Sequence, residues 1–378
     1  MKITRVTPHH LSARLSQPFA YSRSWYDRRE ALLVEVETDA GLIGWGECYG
    51  PPRLTGPAVA VLGERLEGAD PLAVEAHWRT LYAAFRDHGQ KGVLIEALSG
   101  IDIALWDIRG KALGVPIHRL WGGPVRQSVP AYATGLYRRR EGDPPRYLAE
   151  EAAGYVASGF RAVKLKVGFG IEDDLAAARA VCEAIGPDIG LMVDANHAYD
   201  VVAAIRLGRG LEPLDIGWFE EPVPPEDIAG YQRLRAALSI PIAGGECEYT
   251  RHGFRALFVA GALDIAQPDI CAAGGLTEVK KIADMAEAFG VRVIPHCWGT
   301  GIAIAAALQL LAVLPPLTPP ALADSPPWLE FDCTEHPLRQ AILTAPLRPE
   351  GGVIRIPEGL GLGIEIDRAA LARFREGR

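Results

Sequence analysis

Seven polar residues between positions 164 and 296 hold most of the chemistry open to this chain: Lys164, Lys166, Asp194, Glu220, Glu246, Asp269 and His296. They close short apolar runs: RAVKLK, IGLMVD, DIGWFE, PIAGGE, LDIAQPD and VRVIPH. Asp194, Glu220 and Glu246 come from successive runs, and three converging carboxylates repel one another unless a cation sits between them. Oxygen donors alone suit a hard divalent ion, Mg²⁺ completed by water and substrate, and make zinc a poor fit. Lys164 and Lys166 stand two apart, so they share one face of a strand. Held together inside a fold, like-charge repulsion is expected to push one lysine toward neutrality, as a general base requires. The other could bind a substrate carboxylate. Asp269 and His296 end neighbouring runs, and an Asp–His hydrogen bond would orient the imidazole and raise its basicity. A proton α to a carboxylate is weakly acidic and its loss leaves an enediolate. A divalent ion with a lysine stabilises that charge, and the lysine and histidine put bases on both faces.

The elements that must position these groups follow from their spacing. The intervals are 28 residues from Lys166 to Asp194, then 26, 26, 23 and 27 to His296. A strand with its connection, helix and return loop takes about this much chain, roughly 25 residues. The pattern therefore predicts a repeated βα unit with an ionisable group at each strand's C-terminal end, where parallel barrels gather their active-site groups. VPAYATG, from Ser128, predicts the first strand and PWLEFD (327–332) the eighth. Helical patterns lie at about 144–158, 171–185, 199–211, 226–238, 251–260, 275–289 and 301–313. A doubly wound open sheet would gather ligands at one switch point, whereas these groups spread over many consecutive strands, which favours a closed barrel. Before the repeat, residues 2–8 and 31–47 read as strands, and 58–67, 71–87 and 92–114 as helices. PFAYSRSWYDRR (18–29) and CYGPPRLTGP (48–57) read as loops. The fold expected is α/β: an α+β capping domain over 1–125, completed by 346–378, and a barrel over 126–345. The stretch 351–367 reads as β-like and is expected to return to the cap.

Composition excludes several classes. Of 378 residues, 49% are hydrophobic and 23% charged, and the net charge of −8 comes without a basic cluster, which argues against a nucleic-acid partner. The first residues alternate and carry charges, unlike a signal peptide, and the longest apolar run, GIAIAAALQLLAVLPP, is too short to span a membrane. Six scattered cysteines without a C-x-x-C motif read as free thiols of a reducing cytoplasm. Cys247 and Cys297 adjoin candidate site residues but lack the base partner a nucleophile needs. GFG at 168–170 is no dinucleotide fingerprint, since Asp173 stands where the third glycine belongs.

Over essentially its whole length the chain resembles the mandelate racemase and muconate-lactonising branch of the enolase superfamily. The resemblance implies a modified (β/α)₇β TIM-like barrel under an α+β cap, Mg²⁺ as cofactor, and a homo-oligomer. KLK is similar to the family's K-x-K, which implies Lys166 as base and Lys164 as its electrostatic helper. Asp194, Glu220 and Glu246 match the metal ligands, and Asp269 and His296 the Asp–His dyad. Glu330 of PWLEFD matches the acid that hydrogen-bonds the substrate carboxylate, and Asn196 a polar neighbour of the first ligand. RDHGQKG, ALSGIDIALWDIRGK, AYATG, KLKVGFG, DANHAY, GWFEEPV, PHCWGTG and EFDCTEHPLRQAIL look most like the acid-sugar lactone cycloisomerases of that branch. The implied reaction opens a hexaro-lactone by α-proton abstraction, β-elimination of the ring oxygen and tautomerisation. Cap loops select the substrate in this family, which makes Tyr21, Arg23, Trp25, Tyr26 and Arg53, with Trp298, the expected substrate contacts. The alternatives are a dehydratase or racemase for another acid of this class, or a non-catalytic barrel around a structural ion.

Overall fold

The computed structural model describes residues 1–316 and 327–376. The chain opens with an antiparallel sheet of β1 (Ile3–Ala20), β2 (Trp25–Thr38) and β3 (Ile43–Cys48), in that order. Helices α1 (Pro52–Glu64), α2 (Val74–Phe85), α3 (Val93–Leu113) and α4 (Ile117–Leu120) complete this layer. Here α3 meets β3 backbone to backbone. A Cβ on Gly46 would lie 1.9 Å from the Gly100 carbonyl oxygen, and one on Gly44 2.1 Å from that of Ala104. Only glycine permits that approach.

Both expected loops are largely regular structure. β1 runs on to Ala20 and β2 starts at Trp25, with Phe19 opposite Tyr26 and Ala20 opposite Trp25. Aromatic cross-strand pairing holds the hairpin where alternation is lost. In 48–57, α1 begins at Pro52, because proline at the first helical position gives up an N–H that has no partner there anyway.

The repeat then unfolds as predicted. Its units are β4 (Ser128–Thr134) with α5 (Pro144–Ala157), β5 (Ala162–Lys166) with α6 (Ile171–Ile185), and β6 (Gly190–Asp194) with α7 (Val201–Leu211). Next come β7 (Phe219–Glu220) with α8 (Ile228–Ala237), β8 (Ile242–Gly244) with α9 (Thr250–Val259), and β9 (Ile265–Ala266) with α10 (Gly275–Ala288). The last are β10 (Arg292–Val293) with α11 (Gly301–Leu311), and the unaccompanied β11 (Leu329–Asp332). Parallel pairing runs β10-β9-β8-β7-β6-β5-β4-β11, the order of a (β/α)₇β barrel. Among the described residues β10 and β11 share no ladder; the Cys297 N–H crosses that gap to donate to Glu330 Oε2 at 3.0 Å.

Register decides what shares a layer. Lys166 pairs with Asp194, and Asp194 with Glu220. Two residues earlier on the same strand faces stand Lys164, Met192 and Trp218. Below the charged groups, Tyr132, Ala162, Met192, Trp218, Ala243, Ile265 and Ile294 pack into a buried apolar plug. The plug closes the barrel to water from beneath.

Side chains of the cap bind the ends of barrel helices. Asp102 of α3 accepts the Thr277 N–H at the start of α10, and Glu47 of β3 accepts those of Thr300 and Ala303 at the start of α11. Arg29 of β2 donates to Asp332 at 2.7 Å, at the buried end of β11. After α12 (Pro337–Ala341), the C-terminal stretch departs in part from expectation. β12 (Val353–Arg355) pairs antiparallel with β4 of the barrel, not with the cap sheet. After β12 the chain returns to the cap, where Ile117 N–H donates to Gly361 and α13 (Arg368–Phe374) is followed by a Glu376 N–H to His10 bond. No helix among the described residues is long and apolar enough to cross a membrane.

Candidate active site

The groups singled out in the sequence converge above the plug. Oxygens of Asp194, Glu220 and Glu246 lie within 4.8 Å of one another, and all three residues are buried. Glu220 Oε2 accepts from Gln267 Nε2 at 2.6 Å and Trp218 Nε1 at 2.9 Å. Glu246 Oε2 stands 3.2 Å from His296 Nε2 but out of line for a hydrogen bond, so it is buried without a donor. Counting Asp269, Glu221 and Glu330, six carboxyls face three cationic groups, Lys164, Lys166 and His296. A buried surplus of oxygen ligands of this kind fits a hard cation.

Lys164 Nζ sits 2.6 Å from Glu220 and 2.8 Å from Glu330. Lys166 Nζ bonds Asp194 at 2.5 Å and Asn196 Oδ1 at 3.0 Å. The expected depression of one lysine is not found. Burial opposes both charges, but Glu220 and Glu330 hold Lys164 well above its ordinary value, and Asp194 raises Lys166. The expectation weighed two ammoniums against each other and left out the three carboxylates packed on them.

His296 Nδ1 lies 2.6 Å from Asp269 Oδ2, and Asp269 Oδ1 accepts the Cys271 N–H at 2.6 Å. Burial works against the imidazolium, yet Glu246, Glu330 and Asp269 together lift His296 to about 10. Glu330 is engaged by the chain itself. It accepts from Thr134 Oγ1 at 2.6 Å as well as from Cys297, and Lys164 and His296 overcome its burial to hold it at about 2. In the metal-free site Glu330 is thus held ionised, and it anchors Lys164 at 2.8 Å.

A cavity of about 160 Å³ opens over this layer, lined by Lys166, Asn196, Glu246 and His296 from the barrel and by Tyr21, Tyr26 and Tyr49 from the cap. Lys164, Asp194, Glu220, Asp269 and Glu330 lie beneath that lining. Of the expected substrate contacts, Tyr21, Tyr26, Asn196 and Trp298 line the cavity. Trp25 lines a neighbouring groove of about 490 Å³, which also has Tyr26, Tyr49 and Trp298 in its walls. Arg23 instead bonds His197, and Arg53 pairs with Glu376 at the surface. Arg53 is thereby removed from the expected set, because α1 turns it outward toward the C-terminus.

Sequence reasoning passed over Tyr49, Tyr137 and His197, and discounted Cys247 as a nucleophile; all four also line the cavity. It also passed over Glu221, whose carboxyl is buried behind the lining with neither oxygen hydrogen-bonded. Burial and the neighbouring Glu246, Asp194 and Glu220 push that carboxyl well above its usual range. Tyr137 could have been found, since it follows its strand by three residues, as His296 and Asp269 do. Asn196, His197 and Glu221 all take left-handed backbone, with φ of 43°, 53° and 39°. Non-glycine residues held this way concentrate where a fold aims side chains at a site.

Residues 3–122 match the mandelate racemase / muconate lactonizing enzyme N-terminal domain, and residues 147–370 the enolase C-terminal domain-like family. The chain belongs to the enolase superfamily. Its place is the mandelate racemase and muconate lactonizing enzyme family, and it is an enzyme. It is 51% identical over 375 residues, 99% of each chain, to D-galactarolactone cycloisomerase of Agrobacterium fabrum. Arabinonate dehydratase of Saccharolobus solfataricus is 35% identical over 89% of this chain and 88% of that protein. Among solved structures, the 3,6-anhydro-D-galactonate cycloisomerase of Zobellia galactanivorans superposes with a TM-score of 0.91 at 43% identity, covering both chains fully. These relatives set aside the reading of a non-catalytic barrel. Within the superfamily frame, the cap and barrel supply opposite walls of one cavity.

Proposed function

We propose that the protein opens a hexaro-lactone, with galactarolactone the first candidate, to a 3-deoxy-2-keto-hexarate. The observation that carries this reading is one cavity lined by both Lys166 and the Asp269-bonded His296, over a buried carboxylate triplet. The likeness to a D-galactarolactone cycloisomerase over 99% of both chains supports the choice of substrate. A hard divalent ion, Mg²⁺, held by Asp194, Glu220 and Glu246, supplies positive charge against the enediolate when bound.

The chain's own residues do the rest. Lys166 Nζ, at the cavity wall, is the base: Asp194 holds it protonated in the metal-free site, and where that carboxylate serves a bound cation instead, Lys166 would be freed to lose its proton and to take the one from the carbon beside the free carboxylate. Lys164, fully buried between Glu220 and Glu330, stays an ammonium and lends fixed positive charge to that carboxylate as its electrons delocalise. The bond from the β-carbon to the ring oxygen then breaks, and the leaving group is the lactone's own carboxylate. So weak a base needs no general acid. The enol regains a proton at the β-carbon, from His296 or Lys166, and the keto acid has the lactone's composition. Arg29 serves the far end. It lines the neighbouring groove, its guanidinium stacks 4.2 Å over the Trp298 ring and binds Asp332, and Nη1 is buried without a partner, which makes it the cation that would receive the emerging carboxylate.

Proton NMR of the purified protein with galactarolactone and Mg²⁺ tests the proposal, and the ring-opened keto acid is expected. Its absence overturns the choice of lactone. A dehydratase for a related acid is the second reading, favoured by the charged His296, which could protonate a leaving hydroxyl. Exchange of an α-proton in D₂O without ring opening, together with dehydration of an aldonate, would establish that alternative. A homo-oligomer is the expected state in solution, to be read by light scattering.

A further inference from the structure

We propose that His197, Glu221 and Cys247 form a second cation site, separate from the oxygen triplet, that takes a thiophilic divalent ion of the Zn²⁺ class at the wall of the catalytic cavity. One ligand atom from each, a ring nitrogen, a carboxylate oxygen and a thiol sulfur, lies within 4.8 Å of the other two. The three residues leave the same strand ends as the triplet. β6 ends at Asp194 with His197 three residues on, β7 ends at Glu220 with Glu221 next, and beyond β8 stand Glu246 and Cys247. Just past β7 and β8 the chain turns, with Glu221 in left-handed backbone, so that of each adjacent pair one residue belongs to the triplet and the other to the second cluster. The left-handed turn at Asn196 and His197 brings the imidazole round to the second side, and the His197 N–H fastens it by donating to the Glu221 carbonyl at 2.7 Å.

Glu221 is the observation that calls for a ligand. It is 1% exposed, neither carboxylate oxygen has a donor in hydrogen-bond geometry among the described residues, and the one donor turned toward it is the Cys247 thiol of the same cluster. Buried polar groups are otherwise satisfied in native proteins, and an exception asks for an unrecorded ion or proton. His197 and Cys247 line the cavity, so an ion reaches Glu221 through the mouth that admits substrate. The donor set chooses the ion. A thiolate with an imidazole and one carboxylate is the mixture that zinc takes with three protein ligands and an open position, whereas Mg²⁺ avoids sulfur. The open position would face the cavity, where an occupant competes with substrate. One bond opposes loading: Arg23 Nε donates to His197 Nδ1 at 3.2 Å, and a ring that holds a metal through Nε2 carries its own proton on Nδ1. The positive charge of Arg23 works in the same direction.

Co²⁺ is the probe, titrated into the whole protein at saturating Mg²⁺ with no substrate present, so the outcome does not depend on which lactone the enzyme opens. One equivalent is expected to bind with a near-ultraviolet thiolate-to-cobalt charge-transfer band. Cys247→Ser abolishes the band. His197→Asn weakens Co²⁺ affinity by about 10-fold or more, within the range seen for altered metal surroundings, and Arg23→Ala tightens it. Zn²⁺ displaces the cobalt. No thiolate band in the wild-type protein overturns the proposal, and so does a band of equal strength in Cys247→Ser, since that would assign it to one of the other five cysteines. Should Cys247→Ser fail to fold, the opposite shifts of the His197 and Arg23 variants decide the matter. Equal affinity in both overturns the site.

Discussion

Replacing Asp269 by Asn removes one negative charge beside His296 and keeps the side chain's shape. In the wild type one carboxylate oxygen meets His296 Nδ1 at 2.6 Å, and the other accepts the Cys271 N–H at 2.6 Å. An amide cannot serve both, since its NH₂ would face either the ring N–H or the backbone N–H. A hydrogen bond to a charged group contributes about 1.5–3 kcal/mol. At about 1.4 kcal/mol per pKa unit, its loss is worth roughly 1–2 units. His296, lifted to about 10 against its burial, is therefore expected near roughly 8–9 in Asp269→Asn. The metal-free protein, ¹⁵N-labelled at histidine and titrated by NMR, reads this midpoint directly. The raised pKa also sets the sign of the linkage. The charge on His296 stabilises the metal-free fold below about 6.5, and that contribution is lost as pH rises through about 10. The variant should lose it over a narrower, lower window. A wild-type midpoint below 7, or one that Asp269→Asn leaves in place, refutes this account of the dyad.

Other perturbations separate the remaining roles. Lys166→Ala should lower kcat by about 10²–10⁴-fold and abolish α-deuterium exchange, and retained exchange would remove Lys166 from the proton transfer. Arg29→Lys keeps the charge but loses the planar fork that reaches Asp332, Thr334 and the Glu335 carbonyl. Ring opening should slow by on the order of 10²-fold while α-exchange persists, and equal loss of both would contradict a role at the leaving carboxylate. Glu47→Gln tests the seam between cap and barrel. Burial lifts the Glu47 carboxyl to about 7, so its ionisation destabilises the fold progressively as pH rises from 4.5 toward 7. Over that range the wild type should lose about 3 kcal/mol relative to the variant in urea unfolding, and parallel pH profiles would refute it.

Much of the fold was legible because the information is periodic. Apolar runs of strand length, each closed by an ionisable residue and returning every 23–28 residues, specify parallel βα units without reference to anything distant. The cap loops misled because Gly, Pro and mixed aromatics suppress the local signal. Phe19 finds Tyr26 across a hairpin, and Pro52 starts a helix, through contacts and backbone geometry that no alternation announces.

By itself, then, the sequence determined which groups meet at the barrel mouth and that three of them are oxygen ligands on adjacent strands. Strand register and period-two alternation carry that placement, and both are local properties. Only the tertiary structure decided the state of those groups. In the metal-free site Lys164 and Lys166 are held protonated because Asp194, Glu220 and Glu330 fold against them. Glu330 is an anchor because three donors converge on it, and Glu221 is left without one. A pKa and a hydrogen-bond partner depend on charges a few ångströms away in space and far away in the chain, and spacing along the sequence does not contain that distance.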